Sequence, residues 1–244
     1  LGDLFTDIKA YKEAGEAYNK ATSILNQIHD LFLEFYINLS MAELELARGR
    51  FTRARELIES AQEIALETGS KYEMNLCKIS KGKMALLHHN YHVVLSEVLP
   101  ALTFFNEEGH HYEACKCRLL AGLAHTASGN RKIGHQELLE VTTNFRTSQM
   151  LSLLSHLKQP LENTLARIEE DGLNQELAPS LLVEMGEYIK RFESRLPALR
   201  KQLRRRSQVV PLSAPELTIL TFGKTQVKIG EHVIINTSAS VDHD

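Results

Sequence analysis

The chain contains four copies of one pattern of small and apolar residues, spaced 40 residues apart. In each copy a small residue is followed by a small or β-branched residue 12 positions later, a large apolar residue 16 positions later and a small apolar residue 19 positions later. The four series are Gly2, Ala42, Gly82 and Gly122; Ala14, Ala54, Val94 and Gly134; Tyr18, Ile58, Val98 and Leu138; and Ala21, Ala61, Ala101 and Val141. A period of about 20 to 50 residues is typical of stacked helical or β units, so this spacing predicts a solenoid.

The spacing within each copy predicts two helices joined by a tight turn. Ala54, Ile58 and Ala61 are 4 and then 3 residues apart, which places them on one stripe of a helix. Small residues allow two helices to approach closely, and the large residue fills the groove between them. We predict helices over about 11–27, 32–48, 51–67, 71–88, 91–107, 111–128 and 131–145, with residues 1–9 ending a further helix. Pro100 is expected to kink the helix that contains it.

This repeat resembles the tetratricopeptide repeat (TPR) from residue 1 to about residue 145. The matching small residues are Gly2, Gly82 and Gly122 in the first helix, and Ala14, Ala54, Ala21, Ala61 and Ala101 in the second. The period of 40 exceeds the usual ~34 of that family. Such long pairs look like those of the large bacterial signal-transduction ATPases that activate transcription, the class of the maltose-regulon activator. The resemblance implies an all-α fold, a right-handed α-solenoid of TPR-like hairpins.

The 40-residue register is lost after residue 147. We divide the repeats at about 1–29, 30–69, 70–109 and 110–147, followed by capping helices with a basic end (148–207), a linker (208–215), short strands (216–236) and a tail (237–244). The capping segment reads as helices over 148–170 and about 177–206, the second interrupted at Pro197. We expect both to cover the end of the solenoid, because a terminal repeat must hide an apolar face.

Basic residues are concentrated near the end of the second capping helix. Residues 190–206 contain eight basic side chains and one acidic one, so they carry +7 and leave −10 for the rest of a chain with a net charge of −3. Cations at a helix C-terminus are favoured by the helix dipole, which allows a plain solvated helix end. The other interpretation is contact with nucleic-acid phosphates. Its candidate residues are Arg200, Lys201, Arg204, Arg205 and Arg206.

The pattern changes from helical to extended after Pro215. The runs 217–223, 224–229 and 232–236 are rich in β-formers, and Gly230-Glu231 is a hairpin signal, so a short β-hairpin segment is expected at the C-terminus. These runs are similar to the opening strands of the winged-helix DNA-binding domain in SARP-type activators. The resemblance implies an incomplete DNA-binding module with promoter DNA as its partner, in the domain order of the large activators.

Motifs for catalysis, cofactors and membrane spans are not found in the sequence. There is no phosphate-binding GxxxxGK[ST] loop, GxSxG or HExxH motif, so we expect neither an enzyme nor a cofactor. No apolar run reaches the ~18 residues of a membrane span, and the three cysteines suit a reducing compartment, so the predicted location is cytoplasmic. His111 and Cys115 could share a metal ion, but the other histidines near residue 90 are a helix length away, about 25 Å. No metal site is predicted.

The candidate site is the concave groove lined by the first helix of each pair. By the family's groove positions the residues are Tyr36, Leu39, Glu43, Leu46, Leu76, Ile79, Lys83, Leu86, Lys116, Leu119 and Leu123, with Asp3, Thr6, Asp7 and Thr126 at the two ends. Leucines where a carboxylate clamp needs polar residues argue against capture of a peptide C-terminus. An apolar groove with scattered charges fits an amphipathic helix or a modest apolar ligand better. Alternatively, these leucines pack against neighbouring helices or against 148–206.

We therefore expect the sensing segment of a multidomain bacterial transcriptional activator. A protein or small effector would bind in the groove and control the C-terminal DNA-binding module. The chain begins within a predicted helix, so a longer protein is expected. The alternative function is a TPR adaptor for protein–protein interaction without a role in transcription, and self-association is left open.

Overall fold

A computed structural model describes residues 1–144, 156–170 and 178–209 and the strand residues 217–220, 224–229 and 232–238. Ten helices lie in these parts of the chain. They are α1 (Gly2–Asp7), α2 (Tyr11–Ile28), α3 (Leu31–Ala47), α4 (Phe51–Glu67), α5 (Lys71–Leu87), α6 (Tyr91–Glu107), α7 (His111–Ala127), α8 (Arg131–Asn144), α9 (Lys158–Glu170) and α10 (Ala178–Val209). The chain divides into two compact units, Leu1–Pro197 and Ala198–Asp244.

The predicted helices of the repeat region are confirmed, with every described boundary of α2 to α8 within one residue of its prediction. One turn geometry, repeated every 20 residues, explains this regularity. A residue with positive φ ends each helix, and these residues are Lys9, His29, Gly49, Gly69, His89, Gly109 and Gly129. At most of these turns the following N–H donates to the carbonyl five residues earlier, as from Arg50 to Glu45 (2.8 Å) and from Asn130 to His125 (2.8 Å). This Schellman arrangement satisfies the last carbonyls of each helix.

Small residues of one helix touch large residues of the next, as the repeat pattern predicts. A Cβ atom added to Gly122 would lie 2.8 Å from Leu138 Cγ, and one added to Gly82 would overlap Val98. Since both large residues are 16 positions after their glycines, the contact is the same in successive pairs. Among the sixteen repeat positions only Ala21 is not fully buried. The interhelix contact that defines the repeat is therefore confirmed.

The helices of the repeat region pack in a row. Each helix from α1 to α8 contacts the next one along the chain, and the first helices of successive pairs (α1, α3, α5 and α7) also contact one another. The first helices thus form one continuous face. Apolar side chains of the second pair make one cluster around Phe35 and Ile58, and those of the third and fourth pairs make a larger one around Phe105 and Leu120.

The segment after the repeats does not simply cap the fourth pair. α9 contacts α7, and Leu157, Leu161 and Ile189 join the core of the third and fourth pairs. From α10, Glu193 reaches Lys9 in the turn between α1 and α2 (3.0 Å). Besides α7 of the fourth pair, these contacts therefore reach the turn after α1. A covering of the end of the stack stays a prediction. Residues 148–155 of the predicted 148–170 helix lie outside the described residues.

The predicted interruption at Pro197 is wrong, because α10 continues through it. Proline removes one backbone hydrogen bond within a helix, but Pro197 is exposed, so water can reach the carbonyl that loses its donor. α6 likewise continues through Pro100, which is also exposed. The kink expected there stays a prediction.

The second unit, Ala198–Asp244, holds the basic end of α10 and three strands. β1 (Leu217–Leu220), β2 (Lys224–Ile229) and β3 (His232–Ser238) form an antiparallel sheet in the order β1-β2-β3. β1 pairs with β2 from Leu217 opposite Ile229, and a bulge between Val227 and Lys228 shifts the register of β2 on β3.

None of the described helices combines the length and the apolar composition that crossing a membrane requires.

Gly82→Ala tests the contact between small and large residues. Alanine favours a helix, but its methyl group would overlap Val98, so we expect the free energy of unfolding to fall by about 1–3 kcal/mol. In a Val98→Ala background the same change should cost much less, which gives a coupling of about 1–2 kcal/mol in a double-mutant cycle. Urea denaturation of the four chains measures it. Equal losses in both backgrounds would contradict the contact.

Candidate functional site

A cavity of about 240 Å³ opens on the face formed by the first helices. Its wall draws residues from α1, α3, α5 and α7, with Tyr18 from α2 and His156 from the residues just before α9. The predicted groove residues that line it are Tyr36, Leu39, Glu43, Leu76, Ile79, Lys83 and Lys116, together with Asp3, Thr6 and Asp7. The fold therefore brings most of the predicted groove into one place.

The remaining groove candidates lie elsewhere. Leu46, Leu86, Leu119 and Leu123 are at most 4% exposed and belong to the hydrophobic core. Leu86 and Leu123 lie beside Pro160 and Thr164 of α9, in a separate small crevice. Thr126 is also buried and donates its hydroxyl to the Gly122 carbonyl (2.9 Å). Their positions agree with the alternative interpretation of the sequence, in which these leucines pack against neighbouring helices or against the later segment.

Glu43 and Lys83 form an ion pair inside the cavity. They are 40 residues apart, so they occupy the same position in successive repeats, on the neighbouring helices α3 and α5. Lys83 is only 3% exposed, whereas 31% of the Glu43 side chain is exposed. Ser80 Oγ donates a further hydrogen bond to Glu43 Oε1 (3.1 Å). Burial opposes the charge of Glu43, but Lys83 outweighs it and holds the pKa of this carboxyl below its usual value.

His156 belongs to this site, although the sequence analysis did not single it out. Its Nδ1 lies 3.3 Å from Lys83 Nζ. Burial and the positive charge of Lys83 lower the pKa of His156 to about 3, so the ring is neutral at pH 7. Because the lysine ammonium can only donate, Nδ1 accepts and the proton lies on Nε2. The backbone of Thr6 opposes the lowering of this pKa only weakly. Nε2 is buried and makes no hydrogen bond of normal geometry.

Aromatic hydroxyls and a second lysine complete the wall. Lys116 Nζ lies 4.3 Å from the centre of the Tyr112 ring, a cation–π contact, and burial lowers the pKa of this lysine. Tyr18 donates its hydroxyl to Asp3 Oδ1 (2.6 Å), which ties α2 to α1 beside the cavity. Burial, followed by the charges of Glu113 and Asp7, raises the pKa of Tyr112. The cavity therefore combines a lysine at each of two repeats with carboxylates at the α1 end and with the apolar side chains of Leu39, Leu76 and Ile79.

The basic candidates lie in the second unit, on the last turns of α10. Lys201, Arg204, Arg205 and Arg206 are exposed, and Arg200 is partly buried. Because residues four apart on a helix lie on one face, Arg200 and Arg204 are neighbours, and so are Lys201 and Arg205. This is a cationic helix end, which both interpretations of the sequence require.

The histidines and cysteines show no arrangement for metal binding or for nucleophilic chemistry in the parts of the chain that the structure describes. No group of three or more His, Cys, Asp or Glu there could hold a metal ion. His88 contacts Phe51 in a tilted arrangement (4.1 Å between ring centres), and His110 contacts Tyr72 edge to face (4.7 Å). Burial raises the pKa of the Cys77, Cys115 and Cys117 thiols to about 12, which leaves them protonated and unreactive.

No protein-family model, curated protein or solved structure matches this chain.

Glu43→Gln should destabilise the fold by about 2–4 kcal/mol at pH 7, because Lys83 would remain buried without its carboxylate. The folded-state pKa of Glu43 is below the unfolded value of 4.5, so this contribution is present above that pH and is lost as the pH falls further. The difference from the unchanged chain should therefore shrink in acid. Urea denaturation at pH 7 and pH 3 measures it. The control is Glu56→Gln, which removes an exposed pair with Arg53 and should cost under about 0.5 kcal/mol.

His156→Gln should make the protein less sensitive to mild acid. Between pH 6.5 and about 3 the unfolded chain binds a proton at His156 that the folded chain does not bind. The free energy of unfolding should therefore decrease as the pH is lowered, by up to about 1.4 kcal/mol per pH unit, or about 2 kcal/mol between pH 6.5 and pH 5. Glutamine removes this loss, whereas His92→Gln, at an exposed histidine, should not. Parallel acid sensitivity of all three chains would show that His156 is not buried as described.

Proposed function

We propose that this chain is the effector- or protein-sensing segment of a multidomain bacterial transcriptional activator. In this proposal the repeats form a right-handed TPR-like solenoid, the cavity on the first-helix face receives the effector, and a C-terminal module binds promoter DNA. The observation that carries the sensing role is the cavity wall, which takes one helix from each of the four pairs and His156 from the segment that follows them.

The charges in the cavity support a binding role. A buried ion pair such as Glu43–Lys83 contributes little net stability compared with apolar packing, because both groups lose water on folding. Binding offers a reason for charged groups at these positions. The volume of about 240 Å³ is below the ~300 Å³ at which pockets for drug-sized ligands begin. It suits a small polar effector, or one or two side chains of a bound protein.

The route from the cavity to the effector module is also supported by contacts. His156 touches Lys83 in the cavity, and two residues later Lys158 pairs with Glu193 of α10 (2.8 Å). α10 then continues without interruption to the basic residues Arg204–Arg206. A ligand that moves His156 would therefore act on α10, the helix that carries these basic residues.

The alternative is a TPR adaptor that assembles proteins and has no role in transcription. The continuous first-helix face favours it, because such a face can bind an extended or helical segment of another protein. The residues that follow Asp244 in the native gene distinguish the two. A helix-turn-helix pattern with a basic second helix supports the regulator, and any other domain favours the adaptor.

Lys116→Ala and Tyr36→Ala test the sensing role, because both residues line the cavity and neither is fully buried. Regulated expression from the protein's own promoter, and gel-shift titration of the full-length protein on that promoter, are compared with the unchanged protein. We expect the regulated response to fall about tenfold, the equivalent of ~1.4 kcal/mol of lost effector binding. Lys132→Ala, at an exposed lysine of α8, is the control. Unchanged regulation in both cavity variants would remove the sensing role.

A further inference from the structure

Residues 156–170, which we call the strap, consist of α9 and the two residues before it, and α9 packs on α7 of the first-helix face. Leu157, Leu161 and Thr164 are at most 2% exposed. They are 4 and then 3 residues apart, so they form one stripe of a helix. The strap contacts α7, and its two leucines enter the same apolar cluster as Leu119 and Leu123. The face of the strap that carries Leu157 and Leu161 is therefore buried against the stacked repeats.

The surface under the strap is part of the groove that the repeat pattern predicts. Leu86, Leu119 and Leu123 occupy groove positions of α5 and α7, yet they are buried in a cluster that also contains the strap's leucines. The groove is therefore divided along its length. The part lined by α1, α3, α5 and the Tyr112–Lys116 turn of α7 retains an open cavity. The part around Leu86, Leu119 and Leu123 is covered by the chain itself.

The polar contacts of the strap lie at its N-terminal end. Lys158 pairs with Glu193, which also pairs with Lys9, and these three side chains are 25–39% exposed. Ion pairs at such exposure are weak, so the leucine stripe supplies most of the attachment. His156, at the same end, contacts Lys83 in the cavity.

We infer that the strap is an intramolecular ligand of the α5–α7 surface, and that this surface binds a partner's amphipathic helix that carries the same stripe and replaces the strap. The partner helix presents leucines at positions i and i+4 and a small hydroxyl residue at i+7. Its arrival removes His156 from Lys83 and therefore from the cavity wall, so the helix site and the cavity are coupled. This inference names the protein partner class of the proposed groove, but its test needs neither DNA nor an effector.

A fluorescent peptide of residues 156–170 tests the inference with the strap's own sequence as the probe. In a chain with Leu157→Asp and Leu161→Asp the covalent strap can no longer bury its stripe, and the surface becomes free. We expect this variant to bind the peptide at least tenfold more tightly than the unchanged chain, whose tethered strap competes at high effective concentration. A peptide with the same two aspartates is the matched control and should not bind. Equal binding to both chains, or no binding to a variant whose repeats remain helical, would overturn the inference.

Hydrogen exchange provides a second test if the double variant does not fold. Glu193→Gln removes both ion pairs of the strap end, whereas Glu187→Gln changes an exposed residue of the same helix. We expect the amides of 161–170 to exchange about fivefold faster in Glu193→Gln alone, while those of α5 are unchanged. Strap and α5 amides that exchange together in every variant would show that the strap is an integral part of the core. A failed regulation assay with successful peptide binding would reject the transcriptional role and retain the helix site.

Discussion

The contact between a small residue of one helix and a large residue of the next determines the rest of the structure. Gly82 against Val98 and Gly122 against Leu138 bring the two helices of a pair so close that a Cβ atom on either glycine would have no space. The turn geometry that recurs every 20 residues gives α3 to α7 the same length of 17 residues. Equal lengths and one interhelix contact stack the pairs in register, which places α1, α3, α5 and α7 side by side.

Stacking in register explains how a cavity with charged and apolar walls can arise from a repeat. Residues 40 positions apart become neighbours on adjacent first helices, so a difference between copies becomes a difference across a groove. Asp3, Glu43, Lys83 and Leu123 occupy one such position. The copies at 43 and 83 have opposite charges and pair inside the cavity, whereas Leu123 is buried. Variation at one repeat position thus supplies a charged part and an apolar part of the same face.

The later segment shows why a repeat cannot be interpreted without what packs on it. Stacked first helices leave an apolar groove, and an amphipathic helix of the same chain covers part of it here. The strap buries the apolar part, and His156 enters the polar part. The low pKa of His156, near 3, follows from its place in the cavity wall, because the ring is buried and lies beside Lys83.

The sequence by itself determined the helices, their boundaries and the pairwise contacts, because these depend on residues at most 20 positions apart and on one period that repeats four times. It also placed Tyr36, Glu43, Lys83 and Lys116 on one face. Only the tertiary structure decided that Leu86, Leu119 and Leu123 are core, that His156 joins the cavity, and that α10 continues through Pro197. The strap lies outside the period, so no local pattern specifies where on the stacked repeats its two leucines will pack. The folded repeats determine this position, because the two leucines pack on the apolar surface that the repeats leave uncovered.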